Sequence, residues 1–163
     1  MKKFLVILSL LGVCLCSTNT AFADENAKNK TLTQIGKLSN SGQYEQALEI
    51  CNSALKDYPD EAQLYYWSGA IKSELGQIEE AISDFDKAIT LNPNNSSVYV
   101  MRGISKSDIK NYDEAIDDFN KALTIDPHDV SAYSMRACVK IETGDIEGAS
   151  KDCETAKNLQ SKK

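Results

Sequence analysis

Residues 80–93, EAISDFDKAITLNP, return 34 positions later as EAIDDFNKALTIDP over residues 114–127. Nine of the 14 paired residues are identical, and most of the others exchange like for like. A gap-free recurrence at fixed period means that one supersecondary unit is stacked on copies of itself, because a single unit cannot bury its own apolar face. From Lys28 the chain divides without insertion into four blocks of 34: 28–61, 62–95, 96–129 and 130–163.

The columns of this alignment define the unit. Ala47, Ala81, Ala115 and Ala149 form one column, and Ala54, Ala88, Ala122 and Ala156 a second. Between them run Cys51, Phe85, Phe119 and Cys153. These spacings place the three columns on one helical face, with small residues flanking a larger knob so that a neighbouring helix can approach closely. Upstream, Tyr65, Tyr99 and Tyr133 precede Gly69, Gly103 and Ala137 by four residues, which predicts a second helix with its own close-contact point. A turn carrying Gly42, Gly76 or Gly144 joins the two helices, and Pro59, Pro93 and Pro127 separate blocks.

This pattern resembles the tetratricopeptide repeat, a 34-residue helix–turn–helix unit marked by W-x2-L-G-x2-Y, A-x3-F and a closing proline. The resemblance covers residues 28–163 and implies an all-α fold, a right-handed α-solenoid of four helix–turn–helix repeats. Blocks two and three follow the pattern most fully. Block one has Thr31 and Ile35 where tyrosine and glycine stand later, and block four has Ser161 in place of the proline. Where the family usually has leucine before the glycine, this chain has Ser68, Arg102 and Arg136. Three residues after the glycine, where the family often has an aromatic, stand Lys72, Lys106 and Lys140.

Aspartates Asp84, Asp118 and Asp152 precede the knob column, with Ile50 in block one. The absent charges, Ile50 and Ser68, align across a block boundary. Inter-repeat ion pairs Asp84–Arg102 and Asp118–Arg136 are therefore expected, since a partly buried arginine needs a carboxylate. Pairing inside a block, Arg102 with Asp118 and Arg136 with Asp152, is the rival, and solvated charge on both sides is the third option.

The N-terminus has a different character. Lys2 and Lys3, the apolar run from Phe4 to Cys16 and the small-x-small end Ala21-Phe22-Ala23 have the layout of a secretory signal peptide, cleaved after Ala23. The apolar run falls short of the roughly 20 residues a membrane span needs. Val13 and Leu15 are too bulky to resemble the residue that bacterial lipoproteins place before a lipidated cysteine. Residues 1–23 are thus read as a signal peptide, 24–27 as a disordered polar leader, and 28–163 as the repeat domain. The expected location is the bacterial periplasm or outside the cell.

Loss of residues 1–23 removes two lysines and no acid, taking the formal charge from −6 to 16 − 24 = −8. Such an acidic chain is not attracted to phosphate backbones or anionic lipid, so neither nucleic acid nor a membrane surface is an expected partner. Three cysteines remain, an odd number, so at most one disulfide can form. Cys51 and Cys153 occupy the knob column as apolar packing and stand too far apart to bridge. Cys138 and Cys153 share a block, but on diverging faces.

No catalytic pattern is present. The one histidine, His128, lies in a loop, no HExxH, CxxC or phosphate-binding glycine loop occurs, and the adjacent Asp117 and Asp118 point about 100° apart on a helix. No enzyme activity, cofactor or metal is expected. Relatives of the repeat bind peptides or helices in a concave groove lined by the first helix of each unit. The matching residues here are Tyr66, Trp67, Ala70, Val100, Met101, Ile104, Met135 and Cys138, an apolar, adaptable surface without the lysine, arginine and asparagine that hold a terminal carboxylate in some relatives. Glu74, Asp108 and Glu142 recur at the rim near helix carboxyl ends, where the dipole disfavours them, and so suggest a basic partner or a solvated acidic face. The expected function is a protein-binding scaffold. A secreted factor acting on foreign proteins, or an assembly factor for outer-membrane or pilus machinery, is the alternative.

Overall fold

The computed structural model describes residues 24–161, which form eight helices and no strand. They are α1 (residues 24–40), α2 (Tyr44–Asp57), α3 (Ala62–Glu74), α4 (Ile78–Leu91), α5 (Ser96–Asp108), α6 (Tyr112–Ile125), α7 (Val130–Glu142) and α8 (Ile146–Gln160). Odd and even helices pair as antiparallel hairpins, and successive hairpins stack into an all-α repeat solenoid. The expected signal peptide, residues 1–23, lies outside the described residues. No helix among the described residues is long and apolar enough to cross a membrane.

Each hairpin turns through the same hydrogen-bonded stop. After α3, Gln77 N–H bonds to Lys72 C=O at 2.9 Å and Gly76 N–H to Ser73 C=O at 3.0 Å, closing the helix with Gly76 at φ 75°. This is the Schellman arrangement, which needs a residue in the left-handed region. Gly42 and Gly144 serve the first and fourth hairpins, but the third places Lys110 there at φ 62°, a conformation costing a side-chain-bearing residue roughly 1 kcal/mol. At the other end, Glu61, Asn95 and Asp129 cap α3, α5 and α7 by accepting from backbone N–H groups of the first turn. The recurring tyrosines lock the junctions between blocks: Tyr65 Oη donates to Pro59 C=O at 3.0 Å and Tyr99 Oη to Pro93 C=O at 3.2 Å.

The core is a row of knobs. Phe85 and Phe119 are fully buried, and each presses on the glycine of its own hairpin, Gly69 and Gly103. Each knob then packs against the first helix of the following hairpin, Phe85 with Val98 and Phe119 with Ala132 and Val139. In the outer hairpins the same two columns hold a smaller knob and a larger seat residue, Cys51 with Ile35, both buried in one cluster, and Cys153 with Ala137. Cys51 is buried, but Cys153 is exposed, contrary to its expected place in the packing. The reason is positional: the other knobs are covered by the next hairpin, and among the described residues none follows α8. Cys51, Cys138 and Cys153, the cysteines among the described residues, are free.

The expected disordered leader, 24–27, is instead part of α1. Side chains at that end are anchored: Tyr58 Oη donates to Asp24 at 2.8 Å, and Lys28 bridges Glu25 and Glu61 at 3.0 and 2.8 Å.

Candidate functional site

The ion pairs between first and second helices determine which charges remain free for the groove. Arg102 meets Asp118 of its own hairpin in a two-pronged contact, Nε–Oδ2 2.9 Å and Nη2–Oδ1 2.5 Å. Arg136 repeats this with Asp152 at 2.8 and 2.5 Å. Lys106 and Lys140 reach the same two aspartates at 3.0 and 2.9 Å. In the second hairpin Asp84 accepts from Ser68 Oγ and Lys72 Nζ, both at 2.6 Å.

The expected inter-repeat pairs Asp84–Arg102 and Asp118–Arg136 are therefore not formed. The boundary is crossed two residues further along, where the remaining Arg102 nitrogen bonds to Asp86 and that of Arg136 to Asn120, at 2.5 and 2.6 Å. Two residues are about 200° of helical rotation, so Asp84 faces its own first helix while Asp86 faces the next repeat. The charged fork is held against aromatic rings, with the Arg102 guanidinium 5.6 Å from the Tyr99 ring centre and that of Arg136 5.5 Å from Tyr133. Burial opposes the charge on Arg102, but the carboxylates of Asp118 and Asp86 outweigh it and hold the guanidinium protonated more firmly than usual.

The candidate groove residues lie along α3, α5 and α7 but are not equally available. Tyr66 is half-buried, edge-on to Trp67 at 5.6 Å between ring centres and tilted towards Phe85 at 6.4 Å, so it ties the groove floor to the core. Trp67 spans the gap to α1, where it rests on Gly36; a Cβ there would come within 3.2 Å of the indole. Val100 is buried and belongs to the core. Ala70, Met101, Ile104 and Met135 are half-buried, each with its inner side packed on a core cluster, and Cys138 is exposed.

A pocket of about 380 Å³ lies between the amino ends of α3 and α5, lined by Gln63, Tyr66 and Ser97 among others, and three more follow the seams between first helices. One of about 520 Å³ lies between α1 and α3 around Leu32, Gly36 and Trp67. A second of about 240 Å³ joins Tyr66, Val100 and Met101 to Asp129 and Ser131. A third of about 120 Å³ lies between α5 and α7, walled by Ile104, Phe119, Met135 and Val139, with Asp108 and Cys138 also lining it. A broader depression of about 660 Å³ around Leu48, Lys56 and Leu75 involves α2 and the α3–α4 turn, outside this row. The rim acids Glu74, Asp108 and Glu142 are all exposed; Glu74 accepts from Tyr44 Oη at 3.3 Å.

One groove edge escaped the reading of the sequence. Asn29, Gln63, Ser97 and Ser131 form another 34-residue column at the amino ends of the first helices, and all are exposed. The period could have revealed it, but amides and hydroxyls at helix starts read as capping or solvation. His128 is exposed, its backbone N–H held by Asp126, and no metal-ligating cluster occurs among the described residues.

A family model described as Tetratricopeptide repeat matches residues 62–95 and 96–129, and a second of the same description matches 22–61. Among solved structures, a crystal structure of MamA is 23% identical, with a TM-score of 0.76 over 86% of this chain and 82% of that one. A MamA fragment (41-end) from Desulfovibrio magneticus RS-1 is 18% identical, with a TM-score of 0.75 over 83% and 77%. TTC0263, a thermophilic TPR protein in Thermus thermophilus, is 18% identical, with a TM-score of 0.75 over 82% and 75%. These likenesses show a shared fold. No curated protein sequence matches the chain.

Proposed function

The chain belongs to the tetratricopeptide-repeat family, and we propose that it is a non-enzymatic scaffold holding a segment of a protein partner in the groove lined by α3, α5 and α7. The observation that carries this reading is the row of pockets at the seams between first helices, floored by half-buried Tyr66, Trp67, Met101, Ile104 and Met135. Thioether and aromatic side chains adapt to varied apolar groups without needing a preformed cavity. The export signal read at residues 1–23 supports a setting in the periplasm or outside the cell. In that setting the partner is a protein or peptide, neither nucleic acid nor lipid.

Affinity capture from the exporting cell, run in parallel with a Tyr66→Ala/Trp67→Ala/Ile104→Ala variant shown by circular dichroism to remain folded, tests the reading. A partner retained by the native groove and lost with the variant supports it. Equal retention by both removes the groove from the function. Amino-terminal sequencing of the exported protein tests the location: a chain beginning at Asp24 is the expected result, and one that keeps Met1 to Ala23 contradicts it.

A further inference from the structure

We infer that the groove selects an extended, cationic partner segment, one placing an aliphatic side chain in the pocket between α5 and α7 and lysine or arginine along the Glu74–Asp108–Glu142 rim. The inference rests on the scaffold reading above and gives its partner a chemistry. Helices α3, α5 and α7 carry five basic side chains, Lys72, Arg102, Lys106, Arg136 and Lys140, and each is paired with an acid of a second helix. The same helices carry three acids, Glu74, Asp108 and Glu142. None of these has a cationic partner among the described residues. The free charge on α3, α5 and α7 is thus −3, and it stands at their carboxyl ends, where the backbone dipole adds to the negative potential; Lys37 of α1 lines the separate pocket between α1 and α3.

The pocket between α5 and α7 sets the apolar half of the preference. At about 120 Å³ it is well below the roughly 300 Å³ at which small-molecule sites begin, and it is walled mainly by Ile104, Met135 and Val139. It fits one aliphatic side chain. Asp108 also lines it, so a cation beside that side chain meets a carboxylate.

The opposite edge sets the backbone form. The side chains of Gln63, Ser97 and Ser131 are exposed and make no hydrogen bond among the described residues. They are free for peptide N–H and C=O groups, which an extended chain offers and a helix has already used. Neighbouring first helices lie about 10 Å apart, and an extended chain of polyproline-II form, with three residues per turn and about 3.1 Å per residue, returns every third side chain to the same face, so a cation at every third residue meets successive rim acids.

The test uses fluorescent peptides about nine residues long, roughly 30 Å when extended. One carries a central leucine with lysine at every third position; the others replace lysine by glutamate, leucine by serine, or one spacer by proline. The lysine–leucine peptide is expected to bind in a salt-weakened manner and to tolerate proline, whereas the glutamate and serine peptides bind about tenfold more weakly or worse. Glu74→Lys/Asp108→Lys/Glu142→Lys should lose the lysine peptide by about tenfold and gain the glutamate peptide.

Equal affinity for the lysine and glutamate peptides, or unchanged affinity after charge reversal, overturns the cationic preference. Loss of binding with proline overturns the extended form, and no binding by any peptide overturns the inference as a whole. If the capture experiment still finds a groove-dependent partner, only this inference has failed; if it does not, the scaffold reading has failed with it.

Discussion

Gly69 lies so close to Phe85 that a Cβ on the glycine would stand 2.7 Å from the ring carbon Cε1 and 3.0 Å from the Ala81 carbonyl oxygen. Ring and backbone both block that space, so neither neighbour can simply swing away. Gly69→Ala should destabilise the protein by about 1–3 kcal/mol, the usual range for overpacking a dense core. Urea unfolding measures it. Pairing the change with Phe85→Leu should recover part of the loss, reproducing the smaller-knob, larger-seat combination of Ala137 with Cys153.

Lys110 occupies the left-handed turn position that glycine fills in the other three hairpins. Lys110→Gly should therefore raise stability by about 1 kcal/mol, less the extra freedom glycine gives the unfolded chain. A thermal melt clearly below that of the native protein would show that the strain relieved is smaller than the entropy glycine adds to the unfolded chain.

The ion-pair network predicts an order of effects. Asp118 is buried and receives both Arg102 and Lys106, whereas Asp86 is largely exposed and receives one arginine nitrogen. Asp118→Ala should cost about 2–3 kcal/mol because it strips charge-assisted hydrogen bonds from two cations. Asp86→Ala should cost about 1 kcal/mol or less. Denaturation midpoints of the two variants check the order.

Acid sensitivity should follow Asp152. Burial alone would raise its pKa, but the hydrogen bonds from Arg136 and Lys140 outweigh that and hold the carboxyl below its ordinary value. A depressed folded pKa contributes stability that is complete above the unfolded value, near 4, and is lost as pH falls through the folded one. Asp152→Asn should therefore flatten the decline of stability below about pH 4 while lowering stability at neutral pH. Unfolding curves at about pH 3 and pH 7 supply the comparison.

The thiols should divide two to one. Cys138 and Cys153 are exposed and should react with a disulfide reagent at once. Cys51 is buried, its Sγ donates to Leu64 C=O at 3.2 Å, and burial chiefly pushes its pKa up to about 12. It should react only on unfolding. Because the unfolded thiol ionises near 8.5, Cys51 should also make stability fall as pH rises from about 8.5 towards 12, a fall that Cys51→Ala removes. Three fast thiols in the native protein would contradict this placement.

The 34-residue period by itself determined the helix–turn–helix unit, the alanine–knob–alanine face and the turns at Gly42, Gly76 and Gly144. Each of these depends on residues close in sequence, and helical spacing alone fixes which side chains share a face. The first-helix face was legible for the same reason, through Tyr66, Trp67, Ile104 and Met135. Direction around the helix was not. Whether Asp84 or Asp86 turns towards Arg102 depends on how one hairpin is rotated against the next, and two residues of helix reverse the answer. Only the tertiary packing decided that. The same packing withdrew Val100 into the core and left Cys153 uncovered. It also consumed every cation on α3, α5 and α7, leaving three rim carboxylates as their free charge.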